Sequence, residues 1–133
     1  MNSEDARWLQ RISREVSNRP SHDHVEVFIP DEFLVGALGA ALKNEPGAPL
    51  IRLDLQRLKS LDGGDFGITN LEGIEACENL SEVYLWGNMI RDISPLLDLP
   101  KLRHLELFFN PLSQESFATH IPKLILKGVG IEL

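Results

Sequence analysis

Apolar residues recur at a fixed spacing in the second half of the chain. The stretch from Leu80 to Asn88 and the stretch from Leu102 to Asn110 share the pattern L-x-x-(L/V)-x-L-x-x-N, and they are offset by 22 residues. Three further apolar positions return at the same offset: Ile68, Leu71 and Ile74 recur as Ile90, Ile93 and Leu96. A fixed period of this length predicts stacked structural units that bury their apolar residues against one another.

The repeated motif resembles the signature of leucine-rich repeats. Its period and the segment Asp92-Ile93-Ser94-Pro95-Leu96 are similar to the short 22-residue class found in internalins and in a phosphatase regulatory subunit. The resemblance is strongest over 68–112 and extends over 50–133. It implies an α/β fold, a short leucine-rich-repeat solenoid with a parallel concave sheet and an N-terminal helical cap. It also implies a binding module without catalytic machinery.

The sequence before the repeats predicts the cap over residues 1–49. Apolar residues at helical spacing predict a helix over 3–17, and alternating β-branched residues predict a strand over 25–29. An apolar stripe predicts a second helix over 32–43. Residues 50–133 are expected to form the repeats and a C-terminal cap, in one continuous domain with the first part.

The repeat motif predicts a parallel sheet, to which the cap strand is added. Its strands are expected near 25–29, 51–55, 83–86, 105–108 and 124–126. The first repeat is read from Leu50, where L-x-x-L-x-L recurs, and its greater length is interpreted as an insertion or a looser turn. At the other end, Leu124 and Leu126 are expected to face the core.

Asn88 and Asn110 stand at equivalent positions after two of the strands. In the family that these repeats resemble, such asparagines turn inward and form a ladder of hydrogen bonds to buried backbone groups. Both side chains are therefore expected to be buried and hydrogen-bonded, because a buried polar group without a partner is costly.

Alternation along the strands predicts a binding surface. Val83 and Leu85 are assigned to the core, so the residues beside them point outward. The outward residues of three strands, with one residue at a strand exit, are Arg52, Asp54, Gln56, Glu82, Tyr84, Trp86, His104, Glu106, Phe108 and Phe109. Exposed aromatic residues are typical of binding hot spots, so these positions are expected to contact a protein partner. In the alternative interpretation, the N-terminal helix or a terminal loop covers the aromatic residues.

Charge and composition narrow the classes of partner. The 133 residues include 20 acidic and 13 basic side chains, for a net charge of −7, which argues against nucleic acid. No apolar run is long enough to span a membrane or to act as a signal peptide. Cys77 is the single cysteine, so no internal disulfide is possible. A cytoplasmic location is expected.

Two segments carry residues that can bind metals, but both are predicted to be loops or turns. His22-Asp23-His24 lacks a third ligand at the spacing of known zinc sites. Asp62-Gly63-Gly64-Asp65 lacks the further oxygen ligands of a calcium loop and is expected to form a turn. Cys77 aligns with Leu99 one repeat later, so it is expected to be a buried apolar residue. No metal and no cofactor are expected.

The sequence is compatible with three functions. The main hypothesis is a non-enzymatic protein-binding module, in the manner of a bacterial immunity protein that neutralises a cognate toxin on the concave face. No appended effector domain is expected at 133 residues, and a small binder of this kind is most useful as a blocker or adaptor. The alternative is a regulatory or scaffold subunit of a larger enzyme. A hydrolase that uses His104 with Glu82 or Glu106 is the weakest, because no nucleophile or oxyanion donor accompanies them.

Overall fold

The computed structural model describes residues 24–133. Its helices are α1 (Glu32–Leu42), α2 (Arg52–Leu55) and α3 (Ile121–Leu126), with 3₁₀ turns at Ile74–Ala76 and Ser94–Asp98 and a π-helical turn at Ser116–His120. Its strands are β1 (Ser60–Asp62), β2 (Glu82–Tyr84), β3 (His104–Glu106) and β4 (Gly130–Glu132). The helix predicted over 3–17 and the residue His22 lie outside the described part.

The four strands form one parallel sheet in the order β1-β2-β3-β4. Their central residues, Leu61, Val83, Leu105 and Ile131, lie side by side in the register. Leu61, Val83 and Leu105 are fully buried because alternate side chains of a strand point to opposite faces. The parallel sheet predicted from the period is confirmed, as is α1.

The turns between strands supply the opposite wall of the core. Ile68, Leu71 and Ile74 from one repeat stack against Ile90, Ile93 and Leu96 from the next, and all six are buried. Cys77 is buried among them, as expected from its alignment with Leu99. Burial, with a smaller contribution from the charge of Glu75, raises the pKa of the Cys77 thiol to about 12. The thiol therefore stays protonated and packs as a small apolar group.

The first repeat begins at Leu58, eight residues after the predicted start at Leu50. Residues 52–55 form helix α2, so the strand predicted over 51–55 is wrong. Counted from Leu58, β1 keeps the 22-residue offset to β2, and no insertion is present. Gly63 is the residue of the first repeat that is equivalent to Leu85. A larger residue would be crowded there, because a Cβ atom on Gly63 would lie 3.0 Å from the Leu85 side chain.

The cap strand is also absent from the parallel sheet. In residues 24–133, the segment 25–29 makes one isolated antiparallel bridge, between Glu26 and Ile51. Its backbone bonds to the residues that precede α2, with Val27 N–H donating to Leu50 O at 2.8 Å. The cap chain therefore runs beside α2 and does not extend the sheet.

The C-terminal end closes with a helix followed by a strand. Residues 124–126 belong to α3, so the strand predicted there is wrong, and β4 follows it. Leu124 is buried, but Leu126 is 86% exposed, which corrects its predicted place in the core. Ile121 and Leu124 share one helix face at i and i+3, and Leu126 falls on the opposite face. Val129 is buried at the end of the core.

Asp31 joins the cap to the first repeat. One carboxylate oxygen caps α1 by accepting hydrogen bonds from Phe33 N and Leu34 N at 2.8 and 3.2 Å. The other accepts from Thr69 N at 2.7 Å and Asn70 N at 2.8 Å, as well as from the Thr69 hydroxyl at 3.1 Å. Burial alone would raise the pKa of Asp31, but these backbone donors lower it below its ordinary value.

Replacing Asp31 with Asn is expected to make stability less dependent on pH. The folded pKa of Asp31 is lowered, so its carboxylate stabilises the fold above the unfolded pKa of about 3.9, and this contribution disappears as the pH falls through the folded pKa. Urea unfolding should show a loss of about 1–3 kcal/mol at pH 7 for Asp31→Asn, since a charged acceptor becomes neutral. The two proteins should converge once the pH has fallen below the lowered folded pKa of Asp31. If the free energies of unfolding of the two proteins changed with pH in the same way, the charge of Asp31 would not contribute to stability.

Candidate binding face

The outward side chains of the sheet form a continuous surface, named here the sheet face. Register divides it into two rows across the four strands. The first row is Ser60, Glu82, His104 and Gly130, and the second is Asp62, Tyr84, Glu106 and Glu132. The predicted outward positions on β2 and β3 therefore lie together as expected.

A third row extends the sheet face past the ends of the strands. Backbone pairing continues there, with Asp65 N–H donating to Trp86 O and Gly87 N–H donating to Phe108 O, both at 2.8 Å. Gly64, Trp86 and Phe108 are the outward residues of this row. The Trp86 indole covers Gly64 so closely that a Cβ atom placed on that glycine would overlap Trp86 Nε1. Trp86 is nevertheless 41% exposed, and Phe108 is half-buried.

Phe109 lies beside this row in a conformation that suits glycine better. Its φ of 59° is in the left-handed region. The equivalent residues of the two preceding repeats, Asp65 and Gly87, have φ values of 58° and 69°. Asp and Gly adopt this conformation readily, whereas a bulky residue does so at a cost. Phe109 is also 86% exposed, so burial of its ring does not offset that cost.

Asn88 holds the backbone under Trp86. Its Oδ1 atom accepts from Phe66 N at 3.1 Å and Ile68 N at 3.0 Å. Its Nδ2 atom donates to the carbonyl oxygens of Gly63, Leu85 and Trp86 at 2.8, 2.8 and 3.3 Å. Asn88 is 2% exposed, so its predicted burial and hydrogen bonding are confirmed.

Asn110 repeats this arrangement one turn later, at the open end of the ladder. It accepts from Ile90 N at 3.1 Å and donates to the carbonyl oxygens of Leu85, Leu107 and Phe108. Its predicted hydrogen bonds are confirmed, but its predicted burial is wrong, because Asn110 is half-buried. No further repeat of the same form follows within the described residues to cover it.

Negative charge surrounds the aromatic side chains. Tyr84 lies between carboxylates, and its hydroxyl donates to Glu82 Oε2 at 3.2 Å. Partial desolvation, that hydrogen bond, and the charges of Glu82, Glu106 and Glu132 raise the pKa of Tyr84. The rings of Tyr84 and His104 are 5.6 Å apart and tilted by 53°. The sheet face is therefore acidic, with a neutral phenol at its centre.

His104 faces the last strand of the sheet. Its Nε2 atom is 3.9 Å from Glu132 Oε1. The ligand atoms of His104, Glu106 and Glu132 all lie within 4.8 Å of one another, so these three side chains are a potential metal-binding group. Glu106 and Glu132 also belong to the acidic side chains of the sheet face, and exposed acidic groups are common without a metal ion.

The sequence matches known repeats in the region that builds this surface. Residues 78–120 match the model of a family described as leucine-rich repeats, in two copies. This is a leucine-rich-repeat fold. Internalin C2 from Listeria monocytogenes has 30% identity and a TM-score of 0.67, over 78% of this chain and 45% of its own. Internalin inlF from the same species has 26% identity and a TM-score of 0.65, over 78% of this chain and 29% of its own.

The functional domain of InlJ, also from Listeria monocytogenes, shares the fold at 22% identity and a TM-score of 0.64, over 77% of this chain and 21% of its own. The chain thus spans less than half the length of these internalin structures. No curated protein sequence matches it significantly. Leucine-rich-repeat domains generally mediate protein–protein interaction, and such folds are typically non-enzymatic. Within residues 24–133, no helix is long and apolar enough to cross a membrane.

The leucine-rich-repeat register corrects three of the ten predicted site residues and adds others to the surface. Arg52 and Asp54 lie in helix α2, and Gln56 follows it, so none of the three occupies the predicted strand position. Asp62, Gly64 and Glu132 take the outward positions instead. Counting 22 residues back from Tyr84 and Trp86 would have identified Asp62 and Gly64. Glu132 was missed because the last strand was placed too early.

Substituting Ala for Gly64 is expected to move the Trp86 ring without unfolding the protein. The new methyl group would occupy the space of the indole, whose outer atoms can rotate away at a stability cost of about 1 kcal/mol or less. The test is tryptophan fluorescence in a Trp8→Phe background, so that Trp86 alone reports. A shifted emission maximum and faster acrylamide quenching are expected. Unchanged emission would contradict the placement of Trp86 on Gly64.

Proposed function

We propose that the sheet face binds a protein partner, with Trp86 and Phe109 as its anchors. The observation that supports this most strongly is the exposure of both aromatic side chains on a rigid, hydrogen-bonded part of the repeat. Large aromatic anchors on a preorganised backbone lose little conformational freedom on binding, which favours high affinity. Tyr84, His104, Glu106 and Phe108 complete the proposed contact surface.

Charge favours a basic partner. Asp62, Glu82, Glu106 and Glu132 place four carboxylates around the aromatic residues of the sheet face. Complementary charge accelerates association and excludes partners of the same sign. Within the proposal, the partner is a basic toxin, and this chain acts in the cytoplasm as its immunity protein and inhibitor without catalysing a reaction. The alternative use of the same surface is regulation of, or scaffolding for, a larger enzyme.

The proposal is tested by comparing two aromatic substitutions on different surfaces. Trp86→Ala removes an anchor of the sheet face, and Phe117→Ala removes an exposed ring from the C-terminal helical turn. Both tagged variants and the wild type are used as baits in extract of the native organism. A specific partner should be retained by the wild type and by Phe117→Ala, and lost with Trp86→Ala.

The neighbouring gene distinguishes the two uses of the surface. Its product is expressed alone and together with this chain. Toxicity that wild type suppresses and Trp86→Ala does not suppress supports immunity. If the product of the neighbouring gene is harmless and the bait retains a housekeeping enzyme, the immunity function is contradicted and the regulatory function is supported.

Phe109→Asn is expected to stabilise the free protein while weakening the complex. Asn adopts the left-handed conformation more readily than Phe, so the melting temperature should rise, by an amount that corresponds to about 1 kcal/mol. Loss of the ring should reduce affinity for the captured partner by about 2 kcal/mol or more. The two readouts are a melting curve and a binding titration. A lower melting temperature would show that the ring is retained for packing, which contradicts its role as an anchor.

A further inference from the structure

A second surface of opposite charge lies at the edge where the strands begin. A cavity of about 520 Å³ there is lined mainly by Lys59, Asn79, Ser81, Lys101, Arg103 and Lys127. Four of these residues are cationic and none is a carboxylate, although acidic residues outnumber basic ones by 20 to 13 in the chain. Such a concentration of positive charge is unexpected on an acidic protein, and it is called the basic edge below.

The backbone of the basic edge is fixed by the repeat. Ser81 N–H donates to Lys59 O, Arg103 N–H donates to Ser81 O, and Gly130 N–H donates to Arg103 O, each at 2.8 Å. Lys59, Ser81 and Arg103 are therefore equivalent residues of successive repeats, spaced by the strand separation of a parallel sheet. Side chains from three repeats converge on one cavity because of this stacking.

Two of the lysines are oriented by neutral groups, which leave their charge uncompensated. Lys101 Nζ donates to Asn79 Oδ1 at 2.7 Å, and Asn79 Nδ2 is in turn anchored on Gln56 O at 2.6 Å. Lys127 Nζ donates to the carbonyl oxygen of Leu97. Each ammonium group has three donors, so further donors remain free for a ligand.

Arg57, a neighbouring cation outside the basic edge, is paired with a carboxylate. Arg57, which is equivalent to Asn79 and Lys101, lies 3.7 Å from Asp54. Across residues 24–133, no carboxylate lies within ion-pair distance of the four cations of the basic edge. Repulsion among neighbouring cations is relieved by an anion, so this part of the surface is suited to one.

We propose that the basic edge is a binding site for an oxyanion, either a carboxylate of an acidic polypeptide or a phosphate group. Lys101 and Arg103 are its principal ligands, with Lys59 and Lys127 beside them. Charge-assisted hydrogen bonds from several cations bind such groups strongly, and Arg can hold two oxygens at once. This site lies outside the sheet face and does not depend on the function proposed for that face.

The test is a nuclear magnetic resonance titration of the full chain with two probes, sodium pyrophosphate and an octaglutamate peptide. Saturable shifts of the Ser81, Leu102 and Arg103 amides with either probe support the site, and the probe that binds more tightly identifies the source of the anion. Lys101→Gln/Arg103→Gln should weaken that binding at least tenfold. The control Lys43→Gln/Arg91→Gln removes the same charge from other exposed positions and should leave it within twofold.

Failure of this site is distinguishable from failure of the sheet face. Non-saturating shifts with both probes, or equal weakening by the two double variants, would overturn the oxyanion site. Neither result alters the expected loss of protein binding in Trp86→Ala, because Trp86 lies at the opposite ends of the strands.

Discussion

Asn88→Leu is expected to destabilise the protein by about 3–5 kcal/mol, since each buried backbone group that loses its partner costs about 1–3 kcal/mol and partial relaxation recovers some of that loss. Asn88 is the partner of the Phe66 and Ile68 N–H groups and of Gly63 O, and leucine can replace it for none of them. The other two carbonyl oxygens that it contacts, Leu85 O and Trp86 O, keep their hydrogen bonds from Asn110 Nδ2 and Asp65 N–H. The gain in apolar volume does not compensate, because the pocket is already filled and lined by polar atoms.

Urea denaturation measures this effect, and Asn110→Leu provides the matched control. Asn110 makes similar hydrogen bonds but is half-buried, so water can replace part of what is lost there. A smaller loss of about 1–3 kcal/mol is expected for it. If Asn88→Leu cost no more than a surface substitution, about 0.5 kcal/mol, the ladder would not be a source of stability.

Trp86→Ala is expected to have the largest effect on binding. Truncation of a central aromatic anchor commonly costs 2 kcal/mol or more, which is about a 30-fold loss of affinity. The free protein should remain folded, with a stability loss near the typical value of about 1 kcal/mol, because the indole rests on Gly64 at the surface. A binding titration and a melting curve on the same preparation separate the two effects.

Acidic residues of the sheet face are expected to affect the association rate of the partner more than its dissociation rate. Glu82 and Glu106 flank Tyr84, so neutralising both is expected to slow association with a basic partner and to reduce its dependence on salt. Dissociation should change little. This contrast with Trp86→Ala separates attraction at a distance from contact in the complex.

Period alone was enough to predict the centre of the fold. The 22-residue offset placed β2 and β3 to within two residues at each end, and it placed the buried turns after them and the asparagine positions, because these repeats are equivalent copies. The same offset from Ile90, Ile93 and Leu96 to Ile68, Leu71 and Ile74 also fixes the first repeat at Leu58. The first repeat was placed at Leu50 instead, because Leu50, Leu53 and Leu55 match the motif L-x-x-L-x-L by coincidence.

The ends of the repeat array could not be predicted from motif matching. There, helical and strand spacings of leucine overlap over four to six residues, so Leu53 to Leu55 and Leu124 to Leu126 fit either structure. Tertiary packing decides between them. Pro122, at the start of α3, and Gly128, with a φ of 91° just after it, are local signals that favour the helix.

The candidate site was partly predictable for the same reason. Alternation identified the aromatic and acidic residues of β2 and β3. It did not show that Trp86 lies on Gly64, which depends on contact between two repeats. The left-handed φ of Phe109 could have been predicted, because Gly87 occupies the same position one repeat earlier. The basic edge was missed because Lys59 becomes equivalent to Arg103 only when the first repeat starts at Leu58, and because Lys127 was placed after a strand and not after helix α3.

Hydroxyl-radical footprinting of the complex tests the central claim most directly, because it reports which exposed aromatic side chains a partner covers. Trp86 and Phe109 lie on the proposed surface, whereas Phe28 and Phe117 are exposed elsewhere and serve as internal controls. Binding of the partner retained by the wild-type bait should protect Trp86 and Phe109 from oxidation and leave Phe28 and Phe117 unchanged. Protection confined to Phe28 or Phe117, with Trp86 and Phe109 still oxidised at the free rate, would contradict the assignment of the sheet face.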